Sequence, residues 1–171
     1  MKKILFAASE AVPFMKTGGL ADVTGSLPKY FDKKNYDVRV ILPKYVCMEE
    51  RWKGQLHFLC HFYVNLSWRK QYVGIFETTY DGITYYLVDN EFYFAGNAPY
   101  NNIYEDVEKF AFFSKAVLEA LPYLDFCPDI IHCHDWQTGL LPVFLRTLYG
   151  DEEYYTGIKT VFSIHNLKFQ G

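Results

Sequence analysis

A lysine, a threonine and two adjacent glycines, Lys16-Thr17-Gly18-Gly19, lie between a short apolar segment and a stretch with helical spacing. The segment matches neither G-x-x-x-x-G-K-[ST] nor G-x-G-x-x-G, because its lysine precedes the glycines. Glycines let a backbone approach a ligand closely, the first N–H groups of a helix lack partners within it, and a lysine adds a positive charge. The pattern therefore predicts an anion-binding loop; a glycine turn with a solvated lysine is the structural alternative.

Two histidines end apolar segments further along the chain. His134 closes "DIIHCH" and His165 closes "KTVFSIH". Ligands of open α/β sheets bind outside the carboxyl ends of the strands, so we expect Lys16, His134 and His165 to lie along one edge of a sheet.

The histidines of the "DIIHCH" segment could also bind a metal. His132 and His134 lie two residues apart and share one face of a strand. Zinc would need a third ligand, and no spacing puts His57 or His61 beside them. We therefore expect ordinary hydrogen-bonded histidines and no metal.

Three further features are open to two interpretations each. Glu10, just after the first strand, is a candidate base or hydroxyl ligand, although a glutamate in a connecting loop is usually solvated. Asp135 could cap the next helix or orient a substrate hydroxyl. The aromatic residues of the stretch at 91–106 could stack on sugar faces or fill the core.

Hydrophobic spacing predicts the elements that hold these residues. "KKILFAA" and "DVRVILP" are predicted as buried strands around a helix at residues 19–31, whose apolar face is Leu20, Val23 and Leu27. Such a unit has parallel strands and a right-handed crossover.

The rest of the chain alternates between strand and helix patterns. Residues 54–89 resemble a β insertion with a hairpin turn at Asp81-Gly82. Residues 105–121 have the spacing of an amphipathic helix. "DIIHCH" and "KTVFSIH" are predicted as short buried strands separated by a helix that ends near residue 149. Because Pro142 fits only an early helical turn, Thr138 is favoured over Asp135 as its N-cap.

Composition limits the classes of function. The chain has 171 residues, of which 50% are hydrophobic and 22% charged, as in a globular domain. A net charge of −3 gives no basic surface for nucleic acid or an anionic membrane. No segment is apolar enough to span a membrane, and the first apolar run is too short for a signal peptide. Four cysteines without CxxC spacing indicate reduced thiols and a cytoplasmic location.

Three ordered motifs, "KTGGLADV", "PDIIHCHDWQTGLLPVFL" and "TVFSIHNLKFQG", resemble those of bacterial glycogen synthases and plant starch synthases. The resemblance implies an α/β fold with a Rossmann-like, mostly parallel sheet and a β-hairpin insertion, the N-terminal part of a GT-B glycosyltransferase. Residues 1–171 would be one incomplete domain, with the second GT-B domain absent. The implied reaction transfers glucose from ADP-glucose, with UDP-glucose possible, to the non-reducing end of an α-1,4-glucan with retention.

The resemblance also assigns site residues. His165 matches the histidine near the anomeric centre, as the catalytic residue. The substrate-binding residues it implies are Lys16, Thr17, Gly18, Gly19, Asp22, His134, Asp135, Gln137 and Asn166. It implies no metal and no other cofactor, and no nucleic-acid or membrane partner. The isolated chain is expected to be inactive. Another sugar-nucleotide glycosyltransferase of the same fold and a non-catalytic glucan-binding piece are the alternatives.

Overall fold

Seven strands form one sheet in the computed structural model, which describes residues 1–167. In chain order they are β1 (Lys2–Ala7), β2 (Tyr36–Pro43), β3 (His57–Leu66), β4 (Arg69–Tyr80), β5 (Ile83–Asp89), β6 (Ile130–His134) and β7 (Lys159–Ser163). Their spatial order is β3-β4-β5-β2-β1-β6-β7. The pairings from β5 through to β7 are parallel, and those of β3 with β4 and of β4 with β5 are antiparallel. The predicted Rossmann-like, mostly parallel α/β sheet is confirmed.

The predicted β insertion divides into two parts. β3 and β4 form a hairpin that extends the sheet, whereas β5 pairs in parallel with β2 and belongs to the main sheet. The predicted hairpin turn lies between β4 and β5, where Tyr80 pairs with Ile83. Asp81 and Gly82 both have left-handed backbones, with φ of 52° and 74°, as a two-residue type I′ turn requires.

The first helix, α1 (Gly19–Ser26), is shorter than predicted and continues as a 3₁₀ turn at Leu27–Tyr30. Its buried residues are Leu20, Ala21, Thr24 and Gly25. The predicted face was therefore wrong for Val23 and Leu27, which are partly exposed. The reason is close packing: a Cβ at Gly25 would overlap the backbone of Val12, so the small residues face the loop after β1.

The longest helix, α3 (Ile103–Ala120), confirms the predicted one and begins two residues earlier. The side chain of Asn102 caps it by accepting hydrogen bonds from the N–H groups of Tyr104 and Glu105. The helix packs against β3, β5 and α4 (Leu140–Thr147). A short helix, α2 (Glu50–Lys53), precedes the hairpin.

The N-cap of α4 and the burial of β7 both differ from the prediction. Gly139, not Thr138, is the N-cap of α4, because a 3₁₀ turn at Trp136–Thr138 comes first and the Thr138 hydroxyl donates to the carbonyl groups of His134 and Asp135. β7 lies at the sheet edge and is exposed rather than buried, with Phe162 43% exposed.

Residues 1–167 contain no helix that is long and apolar enough to cross a membrane. All four cysteines are free, and Cys133 is buried. Burial raises the pKa of the Cys133 thiol to about 12, so it stays protonated at neutral pH.

Candidate active-site cleft

A cavity of about 850 Å³ lies beyond the carboxyl ends of β1, β6 and β7. It brings together seven of the site residues that the resemblance implies and the candidate base Glu10, and it adds others from α1 and from the loop before α3. The predicted residues on its wall are Thr17, Gly18, Gly19, Asp135, Gln137, His165 and Asn166. Glu10, Leu20, Val23, Tyr100, Asn101, Ile103, Asp106 and Trp136 complete the lining. The expectation that the glycine loop and the His165 segment share one sheet edge is met.

The backbone conformation of the loop does not itself require glycine at positions 18 and 19. Gly18 is extended, with φ of −152° and ψ of −166°, and Gly82 is the only glycine with a positive φ in the part of the chain that the structure describes. Among residues 1–167, a Cβ added at Gly18 or Gly19 would meet nothing within 4 Å, and no side chain caps the N-terminus of α1. The glycines therefore leave open the space in front of the helix N-terminus, as close approach of a ligand requires.

Glu10 is buried, only 3% exposed, and holds the glycine loop in place. Its carboxylate accepts hydrogen bonds from the backbone N–H and the hydroxyl of Thr17 and from the hydroxyl of Tyr100. Its carbonyl oxygen accepts a further bond from the Thr24 hydroxyl. The solvated-loop interpretation of Glu10 is therefore wrong. The position of Glu10 just after the first strand gave no indication, in the sequence, of which loop its side chain binds.

Lys16 and Asp22 do not line the cavity. The Lys16 ammonium group lies 2.7 Å from an Asp22 carboxylate oxygen, and both side chains are about half exposed. The two residues form an ion pair between the glycine loop and the first turn of α1. As a surface pair it contributes little to folding.

His165 is held from two sides. Its backbone N–H donates to Asp135 Oδ1 at 2.6 Å, and its Nε2 lies 2.8 Å from Nδ1 of His134. His134 is fully buried and lies behind His165, not on the cavity wall. The structure thus corrects the expected direct contact of His134 with substrate.

The histidines behind the cavity are kept neutral by their surroundings. Burial, together with the smaller effects of the nearby His132 and His165, lowers the pKa of His134 to about 3. Burial also lowers the pKa of His132, whose Nε2 is 2.7 Å from the Ser163 hydroxyl. Residues 1–167 contain no cluster of three or more His, Cys, Asp or Glu side chains able to hold a metal ion.

Asp135 has an unusual backbone for a non-glycine residue, with φ of 58° and ψ of 179°. This region is used almost only by glycine, and another residue there costs on the order of 1–3 kcal/mol. Hydrogen bonds from Asp135 N to Ser163 O (2.9 Å) and from Thr138 N to Asp135 O (3.1 Å) hold the conformation. The Asp135 side chain caps no helix, so of the two alternatives helix capping is wrong.

The loop before α3 supplies the wall that sequence reasoning missed. The Tyr100 hydroxyl is hydrogen-bonded to Ser9 as well as to Glu10, and burial together with the Glu10 charge raises its pKa. Asp106 accepts from the Asn101 N–H and from Lys109, whose ammonium group also reaches the carbonyl oxygen of Pro99. The aromatic composition of this stretch was the available signal. Tyr93 and Phe94 from the same stretch are core residues.

The cavity wall carries negative but no positive side chains. Glu10, Asp106 and Asp135 line it, and no lysine or arginine does so among the residues that the structure describes. The groups on this wall that suit an anion are backbone N–H groups at the start of α1. An anionic ligand therefore needs positive groups from outside this wall.

An open, mostly parallel α/β sheet with a glycine loop and polar side chains at its carboxyl edge defines a Rossmann-like ligand-binding domain. The family model for the starch synthase catalytic domain matches residues 3–171. The chain therefore belongs to the starch synthase catalytic domain family, and the GT-B class that the motifs implied is confirmed with it.

Named relatives agree with this assignment. The chain is 67% identical over 171 residues to a glycogen synthase of Lachnoclostridium phytofermentans and 62% identical to one of Lachnospira eligens, covering all of this chain and 36% of each relative. One similar solved structure is the catalytic domain of starch synthase IV from Arabidopsis thaliana bound to ADP and acarbose. The match covers 98% of this chain and 34% of the Arabidopsis chain, with a TM-score of 0.86 and 29% sequence identity. The chain thus spans about a third of the length of these proteins. The last four motif residues, 168–171, lie outside the described residues.

Proposed function

We propose that this chain forms one wall of the active-site cleft of a glycogen or starch synthase, a retaining hexosyltransferase. The whole enzyme would transfer glucose from ADP-glucose, or from UDP-glucose, to the non-reducing end of an α-1,4-glucan. The observation that carries the proposal is the single cavity in which the open glycine loop lies opposite the His165 segment. The bound ADP and acarbose of the Arabidopsis starch synthase IV structure support a nucleotide and a carbohydrate as ligands.

Each lining group has a role that suits its chemistry. The N–H groups at Gly18 and Gly19 would face the pyrophosphate of the donor, where the positive end of a helix favours negative charge. Lys16 would exchange its partner Asp22 for a phosphate oxygen. His165 would hold a glucose hydroxyl near the anomeric centre, with Asp135, Gln137 and Asn166 available to other sugar hydroxyls.

The negative wall supports the expectation that a second domain completes the site. A nucleotide diphosphate bound here would face the carboxylates of Glu10 and Asp135, since the third carboxylate, Asp106, is paired with Lys109. Lys16 is the nearby cation in the glycine loop. One lysine contributes about 1.5–3 kcal/mol and a helix N-terminus about 0.3–2 kcal/mol. Association costs at least about 4 kcal/mol, so we expect the isolated chain to bind ADP-glucose more weakly than millimolar and to transfer no glucose. The cytoplasmic location stays a prediction.

A chimera tests the function directly. The corresponding segment of the Lachnoclostridium phytofermentans glycogen synthase is replaced by this chain, which is 67% identical to it. We expect the chimera to incorporate labelled glucose from ADP-glucose into glycogen. His165→Ala should abolish most of that activity, and Lys16→Ala should lower kcat/KM by about one to two powers of ten. A folded chimera without transfer activity, or one indifferent to His165→Ala, would contradict the proposal.

A further inference from the structure

His134 and His165 meet edge to edge, which restricts where their protons lie. Their facing nitrogens, Nδ1 of His134 and Nε2 of His165, are 2.8 Å apart. The ring planes differ by only 13°, and the ring centres are 5.1 Å apart. That separation is close to the largest that this N···N distance allows, so the two nitrogens lie on the line between the ring centres. One shared proton therefore forms a nearly linear N–H···N hydrogen bond in the plane of both rings.

Only one direction of proton donation in this hydrogen bond is consistent with the buried surroundings of His134. His134 is enclosed by the rings of Phe6 and His132, at 5.0 Å and 4.1 Å between centres, and its Nε2 is buried with no hydrogen-bond partner among residues 1–167. A neutral imidazole has one N–H and one bare nitrogen. If the proton were on Nε2, a buried N–H would be left unpaired, which is rarer in proteins than an unpaired acceptor. With the proton on Nδ1, His134 donates to His165 and leaves only a lone pair unsatisfied.

We propose that His134 is a positioning residue that fixes His165 as its Nδ1–H tautomer. Because Nε2 of His165 must accept the proton of His134, the remaining ring nitrogen of His165 carries a hydrogen. His165 lies on the cavity wall, and a ligand that reaches its Nδ1 would meet an N–H there. The site then selects an oxygen acceptor, such as a hydroxyl or ring oxygen, and rejects a ligand that presents only a donor at this point.

The surroundings of His134 keep this tautomer in place. Its neutral state follows from complete burial, and no described carboxylate contacts either of its ring nitrogens. The backbone of His165 is fixed independently by the Asp135 carboxylate, so the ring has little freedom to leave its partner. A separate bond from His132 to Ser163 holds the neighbouring ring of the stack.

Nitrogen NMR of the chain labelled with ¹⁵N-histidine tests the inference without any activity measurement. The protonated and bare nitrogens of a neutral imidazole have well-separated resonances, so each tautomer is read directly. We expect the proton on Nδ1 in both His134 and His165, with a scalar coupling across the N–H···N bond between them. A proton on Nε2 of either ring overturns the proposal.

Two variants separate positioning from mere packing. His134→Phe keeps a ring against Phe6 and His132 but removes the donor, so His165 should become a mixture of tautomers. His134→Asn can return an N–H near the position of Nδ1 and should restore the Nδ1–H form of His165. An unchanged tautomer of His165 in a folded His134→Phe chain overturns the proposal. If that variant does not fold, the wild-type and His134→Asn spectra decide. The effect on a bound sugar rests on the proposed function, whereas the tautomer does not, so the chimera and the spectra fail independently.

Discussion

Two sides of the cavity are each held by a buried carboxylate that accepts a backbone N–H, but the two carboxylates have different surroundings. We use loop wall for the segment that carries and supports the glycine loop (residues 10–23) and histidine wall for the segments that carry and support His165 (residues 132–137 and 163–166). Each has a buried carboxylate just after a parallel strand. Glu10 accepts the N–H of Thr17, and Asp135 accepts the N–H of His165. In both walls the carboxylate holds the backbone of a segment that lines the cavity.

The difference lies in what else supports each carboxylate. Glu10 gathers three donors from two residues. Asp135 has a strained backbone and accepts at its side chain from one backbone N–H, near the buried, neutral ring of His134. The loop wall therefore depends on hydrogen bonds to one charge, whereas the histidine wall depends on neutral rings and on pairing between β6 and β7. Substitutions and pH should affect the two walls differently.

The largest effect is expected from Glu10→Ala. The change leaves the Thr17 N–H and the Tyr100 hydroxyl without their charged acceptor, and each lost bond to a charged group is worth about 1.5–3 kcal/mol. We expect the free energy of unfolding in urea to fall by about 3 kcal/mol. Thr17→Ala, which removes only the hydroxyl donor to the same carboxylate, is the matched control and should cost about 1.5 kcal/mol. Equal losses in the two variants would mean that Glu10 does not hold the loop.

Acid should weaken the histidine wall next most strongly. His134 has a pKa of about 3 when folded and near 6.5 when unfolded, so below pH 6.5 the unfolded chain binds a proton that the folded chain does not. Each unit of pH is worth up to about 1.4 kcal/mol per group, so this histidine should lower the free energy of unfolding by about 2 kcal/mol between pH 8 and pH 5. The His134→Phe variant, measured in parallel by urea unfolding, should lose that part of the slope. Parallel pH profiles would show that His134 takes up a proton while folded.

Hydrophobic spacing predicted the secondary-structure elements and turns that depend only on residues close together in the sequence. The parallel strands, the helix at residues 103–120 and the Asp81-Gly82 turn all follow from local patterns. The location of the glycine loop and of His165 at one edge followed from the rule for carboxyl ends of parallel strands.

The long-range contacts that support the two walls could not be predicted in the same way. Glu10 reaches Tyr100 across 90 positions, and His134 reaches His165 across 31. No periodic pattern specifies such pairs, because they depend on how separate elements pack. The face of α1 was mispredicted for a similar reason, since the close approach of Gly25 to Val12 outweighed the larger side chains of Val23 and Leu27.

A smaller effect is expected at Asp135, where two contributions oppose each other. Asp135→Gly relieves about 1–3 kcal/mol of backbone strain and loses one charge-assisted hydrogen bond of about 1.5–3 kcal/mol. The net change in the free energy of unfolding should be within about 1 kcal/mol. Asp135→Ala loses the same bond and keeps the strain, so it should be less stable than Asp135→Gly. Equal stability of the two variants would show that this backbone carries no strain.

The smallest effect on folding is expected at Lys16, although the sequence places it in the loop wall. Its ammonium group pairs with Asp22 where both side chains are about half exposed, so water screens the charges and the pair should contribute about 0.5 kcal/mol or less. A double-mutant cycle of Lys16→Ala and Asp22→Asn, followed by urea unfolding, measures that coupling. In the chimera the same Lys16→Ala change should still reduce transfer by about one to two powers of ten, because it would remove the proposed contact of the lysine with a phosphate oxygen. A coupling well above 1 kcal/mol would instead make the ion pair a structural part of the loop wall, comparable to Glu10.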